Sequence, residues 1–236
     1  MSFRSLPLLA SAAIALAGLC HAEPEAGSKP EARKDKGPML RFIIVSCPED
    51  QGPLRIMSKN DEGEWRQHAE FEARPSFITD WMPVIAGRLH LTVSSPEQPV
   101  PVGSLTYPAD TRRAIAVLFH DPKKKQYRAE VIDPAKAGFR KGSTLIANYS
   151  RQAGAVSLGD GLMRVDPGGR RVATPRTDAN GMYRMVASYA RPGEEPVLCY
   201  DRFVAANPDA RDIMFLLPDR TLGMRVFRLS EFGPFE

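Results

Sequence analysis

Asp110–Asp133 reads DTRRAIAVLFHDPKKKQYRAEVID, an apolar run that climbs into a lysine-rich turn and returns as an alternating strand. About a hundred residues later, Asp209–Phe232 repeats that grammar as DARDIMFLLPDRTLGMRVFRLSEF. The returning arms alternate apolar and polar positions, as strands with one wet face do. The outgoing runs AIAVLF (114–119) and IMFLL (213–217) have no polar face at all. A strand that is apolar on both sides is covered on both sides. These two runs therefore predict a surface formed by Ile115, Val117, Phe119, Met214 and Leu216 that lies against a sister module or against a separate protein. FIIV (42–45) has the same character.

Working outward, the rest of the chain is written in period two. Trp65, Gln67, Ala69 and Phe71 alternate with Arg66, His68 and Glu70, and Leu89, Leu91 and Val93 with Arg88, His90 and Thr92. Tyr183, Met185, Ala187 and Tyr189 follow the same rule in the second half. Twenty-one prolines and eighteen glycines punctuate these runs and exclude long helices. Only 134–142 and 203–209 have room for a helical turn. The fold class read from this pattern is all-β.

The repetition extends beyond the opening stretch. GRLHLTV (87–93) corresponds to GMYRMVA (181–187), and LRFIIVSC (40–47) to LIANYS (145–150). We expect two tandem immunoglobulin-like β-sandwich modules, residues 39–133 and 143–236, joined by a linker at 134–142. Ahead of them, Arg4 and the apolar run 6–19 precede Cys20-His21-Ala22, the pattern of a secretory signal peptide at 1–22 cut after Ala22. Residues 23–38, EPEAGSKPEARKDKGP, have no apolar side chain larger than alanine and balanced charges, so they read as a flexible tether. The expected location is periplasmic or secreted. A lipoprotein is the lesser reading, because Leu19 rather than a small residue precedes Cys20. No later run is long and apolar enough for a membrane span.

Charge and chemistry narrow the function. The net charge of +4 falls to +3 once Arg4 leaves with the leader, and the basic residues are scattered, so no nucleic-acid stripe is expected. Lys123–Lys125 is the one basic triplet, and it sits at a turn. The mature chain keeps two cysteines, Cys47 and Cys199, one in each half. They are either a disulfide stapling the halves or two thiols in separate cores. His68, His90 and His120 lack metal-ligand spacing, and there is no nucleophile elbow. Asp50, Asp80, Asp110, Asp201 and Asp209 lie in loops or at strand ends, with nothing in the sequence to select a catalytic pair. LGDGL (158–162) and DPGGRR (166–171) open no helix and read as hairpin turns, and TDANGMY (177–183) reads as a turn rather than a calcium loop. NYS (148–150) is a formal glycosylation sequon. Trp65 and Trp81 sit at core-like periods, leaving glycan binding as a possibility without support.

At LIANYSRQAGAVSLGDGLMRVDPGG (145–169) the chain resembles exported bacterial β-sandwich repeats filed as domains of unknown function, through Asn148, Ser150, Gly159, Pro167 and Gly168. The first half departs from that wording, with Val45-Ser46-Cys47 where Asn-x-Ser would stand. The resemblance implies a fold and an extracytoplasmic setting, and no activity. The expectation is an exported, non-catalytic protein that binds an envelope protein or plays a structural part there, without cofactor or metal. A glycan-binding module or glycan-directed hydrolase is the alternative.

Overall fold

Strong β-formers separated by glycine and proline turns become seventeen strands among the described residues. The first half holds β1 (Met39–Ile44), β2 (Leu54–Lys59), β3 (Trp65–Phe71), β4 (Phe77–Ile78), β5 (Met82–Pro83), β6 (Gly87–Val93), β7 (Val100–Tyr107), β8 (Arg113–Asp121) and β9 (Gln126–Ile132). The second holds β10 (Thr144–Asn148), β11 (Gly154–Leu158), β12 (Gly161–Val165), β13 (Arg170–Ala173), β14 (Met182–Tyr189), β15 (Val197–Ala205), β16 (Ala210–Asp219) and β17 (Gly223–Phe232). The structure is a computed structural model that describes residues 37–191, 193–233 and 235, which belong to one compact unit. The expected leader and all but the last two residues of the expected tether lie outside the described residues. None of the described residues is helical, so the all-β reading is what the structure shows, and no helix among them is long and apolar enough to cross a membrane.

In the first half one nine-stranded sheet runs β3-β2-β6-β7-β9-β8-β1-β4, with β5 beside β1. It folds over itself through a short parallel contact of β7 with β9, Gly103↔Tyr127 and Ser104↔Arg128. Gly103 is required there, because a Cβ would stand 2.8 Å from the Tyr127 carbonyl oxygen. Inside the fold, Leu40, Phe42, Leu54, Ile56, Leu89, Leu91 and Leu118 form a first core. The second half has two four-stranded sheets, β13-β10-β16-β17 and β12-β11-β14-β15, enclosing a second core around Ile146, Val156, Met185, Met214 and Leu216. Strand order recurs between the halves: β3-β2-β6-β7 matches β12-β11-β14-β15, and β4-β1-β8-β9 runs in the sense of β13-β10-β16-β17. In both halves the first strand runs parallel to the penultimate one.

That connectivity departs from the immunoglobulin one, whose first strand lies beside its second in the A-B-E-D sheet. Here β1 lies beside β8, and β2 sits in the opposite layer between β3 and β6. Strand count and length lead to a sandwich, but they do not say which strands become neighbours. Two turn readings also change. Residues 166–169 form a turn with Gly169 donating to the Asp166 carbonyl at 2.8 Å, yet it joins β12 to β13 in different sheets and closes no hairpin. Phe203–Ala205 belongs to β15 rather than to a helical turn.

A third core lies where the halves meet. Ile43, Val45, Ile115, Val117, Ile132 and Phe139 pack with Leu145, Ala147, Ile213, Phe215 and Leu217. In β8, Ala114, Ala116 and Leu118 enter the first core while Ile115 and Val117 enter the shared one. In β16, Met214 and Leu216 enter the second core while Ile213, Phe215 and Leu217 face the first half. Ile115, Val117 and Phe119 therefore lie on the surface between the halves. Met214 and Leu216, expected there, do not; the parity of β16 turns them into their own sandwich. Tyr149 bridges Phe119 and Phe215 with ring separations of 4.7 and 5.6 Å.

Because the shared core couples the halves, a cavity cut into one side is expected to be felt by the other. Phe215→Ala should cost about 3–5 kcal/mol. Both tryptophans are in the first half, so the measurement is urea unfolding followed by their emission. The expected result is a lowered midpoint in a single transition; an unchanged tryptophan midpoint would mean that the halves unfold independently.

Candidate functional site

Three strands bring an arginine to the shared face in the same local pattern. R-F-I-I-V (41–45) in β1, R-A-I-A-V (113–117) in β8 and R-D-I-M-F (211–215) in β16 each place Arg two residues before the first apolar residue of the shared core. Period two sends that arginine to the same face as the isoleucine, so Arg41, Arg113 and Arg211 all stand at one rim of the seam. Arg41 is paired in register with Ile115, and Arg113 with Met39, which makes the two guanidinium groups diagonal neighbours across β1 and β8.

Among the described residues, the carboxylate of Glu231 pairs with two of these arginines. Glu231 of β17 is buried, its side chain 1% exposed, and accepts from Arg211 Nε at 2.9 Å and Nη2 at 2.6 Å through Oε2. Its Oε1 accepts from Arg41 Nη1 at 2.5 Å, so a single carboxylate ties the first strand of one half to the last strand of the other. Arg211 also donates Nη1 to the Phe139 carbonyl at 3.2 Å. Burial pushes its guanidinium below the usual arginine range and Glu231 offsets this, while the charges of Arg41 and Arg113 push the same way as burial. Aromatic faces complete the arrangement. Arg41 and Arg113 lie over Trp81 at 4.5 and 5.3 Å, and Arg211 is flanked by Phe139 at 4.7 Å and Phe235 at 4.1 Å.

Above this floor opens a cleft of about 660 Å³. One wall is the expected linker. Asp133 Oδ1 accepts from the Ala135 and Lys136 amides at 3.0 and 3.1 Å, and Phe139 N donates to the Pro134 carbonyl at 2.8 Å, so the segment coils tightly and buries Phe139 in the shared core. The far end is fixed by Gly142 N on the Ala210 carbonyl at 2.8 Å. The lining includes Arg112, Arg113, Lys136, Arg140, Lys141 and Arg211 against Asp110 and Asp133. Lys136 holds Asp110 at 2.6 Å, and that hydrogen bond pulls the Asp110 carboxyl below its ordinary range. Asp110 is thus kept ionised as a partner for Lys136, the opposite of the raised affinity a general acid needs. Asp133 is engaged by Thr111 Oγ1 at 2.7 Å as well as by the turn. Among the described residues of the cleft and its floor, cationic side chains outnumber carboxylates.

The other candidates are placed elsewhere. Cys47 and Cys199 are free thiols, packed against the first and the second core respectively, which is the second of the two readings left open by the sequence. Cys47 Sγ donates to the Ala73 carbonyl at 3.5 Å and Cys199 Sγ to the Ala187 carbonyl at 3.2 Å, and burial raises both thiols. His68 Nε2 meets Ser58 Oγ at 2.8 Å, and His90 packs edge-on to Trp65 at 5.1 Å. No group of three metal-ligating side chains converges among the described residues. Asp201 is held by Arg184 at 2.8 and 2.6 Å, and Asp209 lies 3.6 Å from Lys141. Lys59 stands over Trp65 at 4.8 Å, so, like Trp81, this indole already carries a cation on its face. The sequon asparagine is structural. Asn148 is buried, and its amide donates to the Gln152 and Val165 carbonyls at 2.7 and 2.8 Å while its oxygen accepts from Ser150. A second concavity, of about 580 Å³, is edged by Arg151, Arg164 and Arg191, of which Arg164 and Arg191 are neutralised by nearby Asp166 and Glu194.

Sequence reading missed Arg41, Arg211 and Glu231. The usable signal was parity: each is a charge on the face of a strand whose neighbouring positions are otherwise apolar. Removing the shared carboxylate alone leaves the buried Arg211 and the largely buried Arg41 without their counter-charge. Glu231→Leu is expected to destabilise by about 3–5 kcal/mol, whereas Arg41→Met with Arg211→Met and Glu231→Leu should recover most of that loss. Urea midpoints of the two variants check this, and equal midpoints would contradict it. No known family model matches the chain, and no curated protein matches it in sequence, so its function is argued from this geometry.

Proposed function

We propose that this is an exported, non-catalytic binding protein of the cell envelope. In this reading it consists of two tandem sandwich modules derived from one ancestral unit and held as one body. The leader at 1–22 is removed after Ala22, the tether at 23–38 lets the body move, and the cleft at the seam receives a protein partner. The recurrence of strand order between the halves, with a parallel pair at the same place in each, supports the duplication.

The observation that carries the binding reading is the cleft over the Arg41–Glu231–Arg211 cluster. A concave site with aromatic walls and a convergent set of charged groups is what ligand recognition uses. Its floor is preformed, because both halves contribute to it and the shared core fixes their relation. Glycan recognition by a bare indole has less support, since Trp65 and Trp81 already lie against cations.

Cross-linking mass spectrometry on the tagged mature protein in its native host tests this reading. Lys136 and Lys141 line the cleft, each with its side chain 56% exposed, and Lys123–Lys125 mark the distant β8–β9 turn. Reproducible links from Lys136 and Lys141 to one envelope protein are expected. Recovery of an uncross-linked monomer, or links only from Lys123–Lys125, would overturn the assignment of the cleft.

A further inference from the structure

We infer that the group recognised in the cleft is an acidic peptide segment, carboxylate side chains flanking an apolar one, presented by the protein partner. The inference rests on the reading of the cleft as the partner's site and adds the chemistry of what enters it.

Charge decides the sign of the ligand. Beneath the cleft, Arg41 and Arg211 share the carboxylate of Glu231, so among the described residues this cluster sets two cations against one anion in a setting where little water screens it. On the rim, Asp110 and Asp133 lie around Lys136, and Lys141 lies 3.6 Å from the exposed Asp209. Arg140 forms no ion pair among the described residues, although it is exposed beside the buried Phe139. A cationic floor with low-dielectric walls focuses its potential into the opening and raises the local concentration of anions.

Shape and chemistry decide the class. Arginine presents a planar fork that matches a carboxylate; that of Arg211 is taken by Glu231, whereas the exposed Arg140 offers one at the wall, and half-buried Phe235 adds apolar surface to the same lining. The faces of Trp81 are engaged by Arg41 and Arg113, which removes the flat indole a sugar would stack on. A cleft of about 660 Å³ accommodates a few side chains rather than a folded domain. An extended segment with an apolar side chain between two carboxylates fits these constraints together.

The test titrates the full mature chain carrying Trp65→Phe, which leaves Trp81 as the fluorescent reporter. The probes are a blocked tripeptide aspartate–phenylalanine–glutamate, its uncharged analogue asparagine–phenylalanine–glutamine, and phenyl phosphate. Saturable binding of the acidic tripeptide, at least about tenfold tighter than that of the analogue, is expected, with a further loss of about tenfold in Arg140→Glu. Arg140 is exposed, so the variant should keep the parent unfolding midpoint, which is measured in parallel. Equal affinity for the two tripeptides, no saturation by about 10 mM, no loss in Arg140→Glu, or tighter binding of phenyl phosphate than of the acidic tripeptide would each overturn the inference. Cross-links from Lys136 and Lys141 to a partner combined with any of those results would overturn the acidic-peptide inference alone. Cross-links confined to other surfaces would overturn both readings.

Discussion

Everything in this structure depends on two strands that have no wet side. β8 and β16 each feed alternate residues into a sandwich core and the intervening ones into the core between the halves. A sheet that exposed Ile115, Val117, Ile213, Phe215 and Leu217 to water would carry a large apolar surface, and burying each such side chain is worth roughly 1.5–3 kcal/mol. The two halves therefore lie face to face through their β1–β8 and β10–β16 pairs. The segment at 134–142 is correspondingly short and tight, with Phe139 anchored in the core it crosses. A flexible linker would have no role between two bodies that share their interior.

The apolar stripe stops at a rim, and what stands there sets the chemistry. In all three strands the residue two before the first shared-core isoleucine is arginine. Ending an apolar face with a long cationic side chain is ordinary at a water boundary, because the aliphatic stem packs while the head reaches solvent. Arg211 is buried and Arg41 nearly so; both turn onto Glu231 instead of reaching out. Buried ion pairs contribute less to net stability than well-packed apolar side chains of the same volume. Their value here is geometric. The Glu231 carboxylate accepts from an arginine of each half, so it fixes the lateral register of the two sheets, which apolar contacts alone leave free to slide. Glu130 and Arg170 form a second cross-seam ion pair between β9 and β13.

Much of this was legible in the chain. Period two in Trp65–Phe71, Leu89–Val93 and Tyr183–Tyr189 led to the strands, and the apolar runs led to a covered surface. The reading failed on parity in β16, where Met214 and Leu216 were placed on the seam that belongs to Ile213, Phe215 and Leu217. An uninterrupted apolar run carries no mark of which alternate set faces which neighbour, and a shift of one residue inverts the assignment. Neighbour order was illegible for a related reason: pairing β1 with β8 in parallel closes a contact across some seventy residues, and no local pattern encodes such a partner. The cluster of Arg41, Arg211 and Glu231 was hidden because charged residues in strands are first read as solvent-facing. Only when the next-but-one residues are known to be buried from both sides does the same position become an interior one.

The site also sits where it does for a reason. A sandwich interior is filled by its own side chains, so a cleft walled by both halves opens where their layers diverge. At the Arg41–Arg211 end, that divergence coincides with the place where apolar pairing has given way to charge and where the 134–142 segment supplies a wall. Phe139 lies in the shared core, and Glu231 ties Arg41 of one half to Arg211 of the other, so this end of the seam is already ordered in the folded chain. On the proposed binding reading, recognition would draw on pre-organisation rather than on closure, since the entropy of fixing the Arg41 and Arg211 forks was lost when the chain folded. Separating the halves to open the cleft further would expose the shared core, so the geometry of the cleft and the stability of the fold are set by the same contacts.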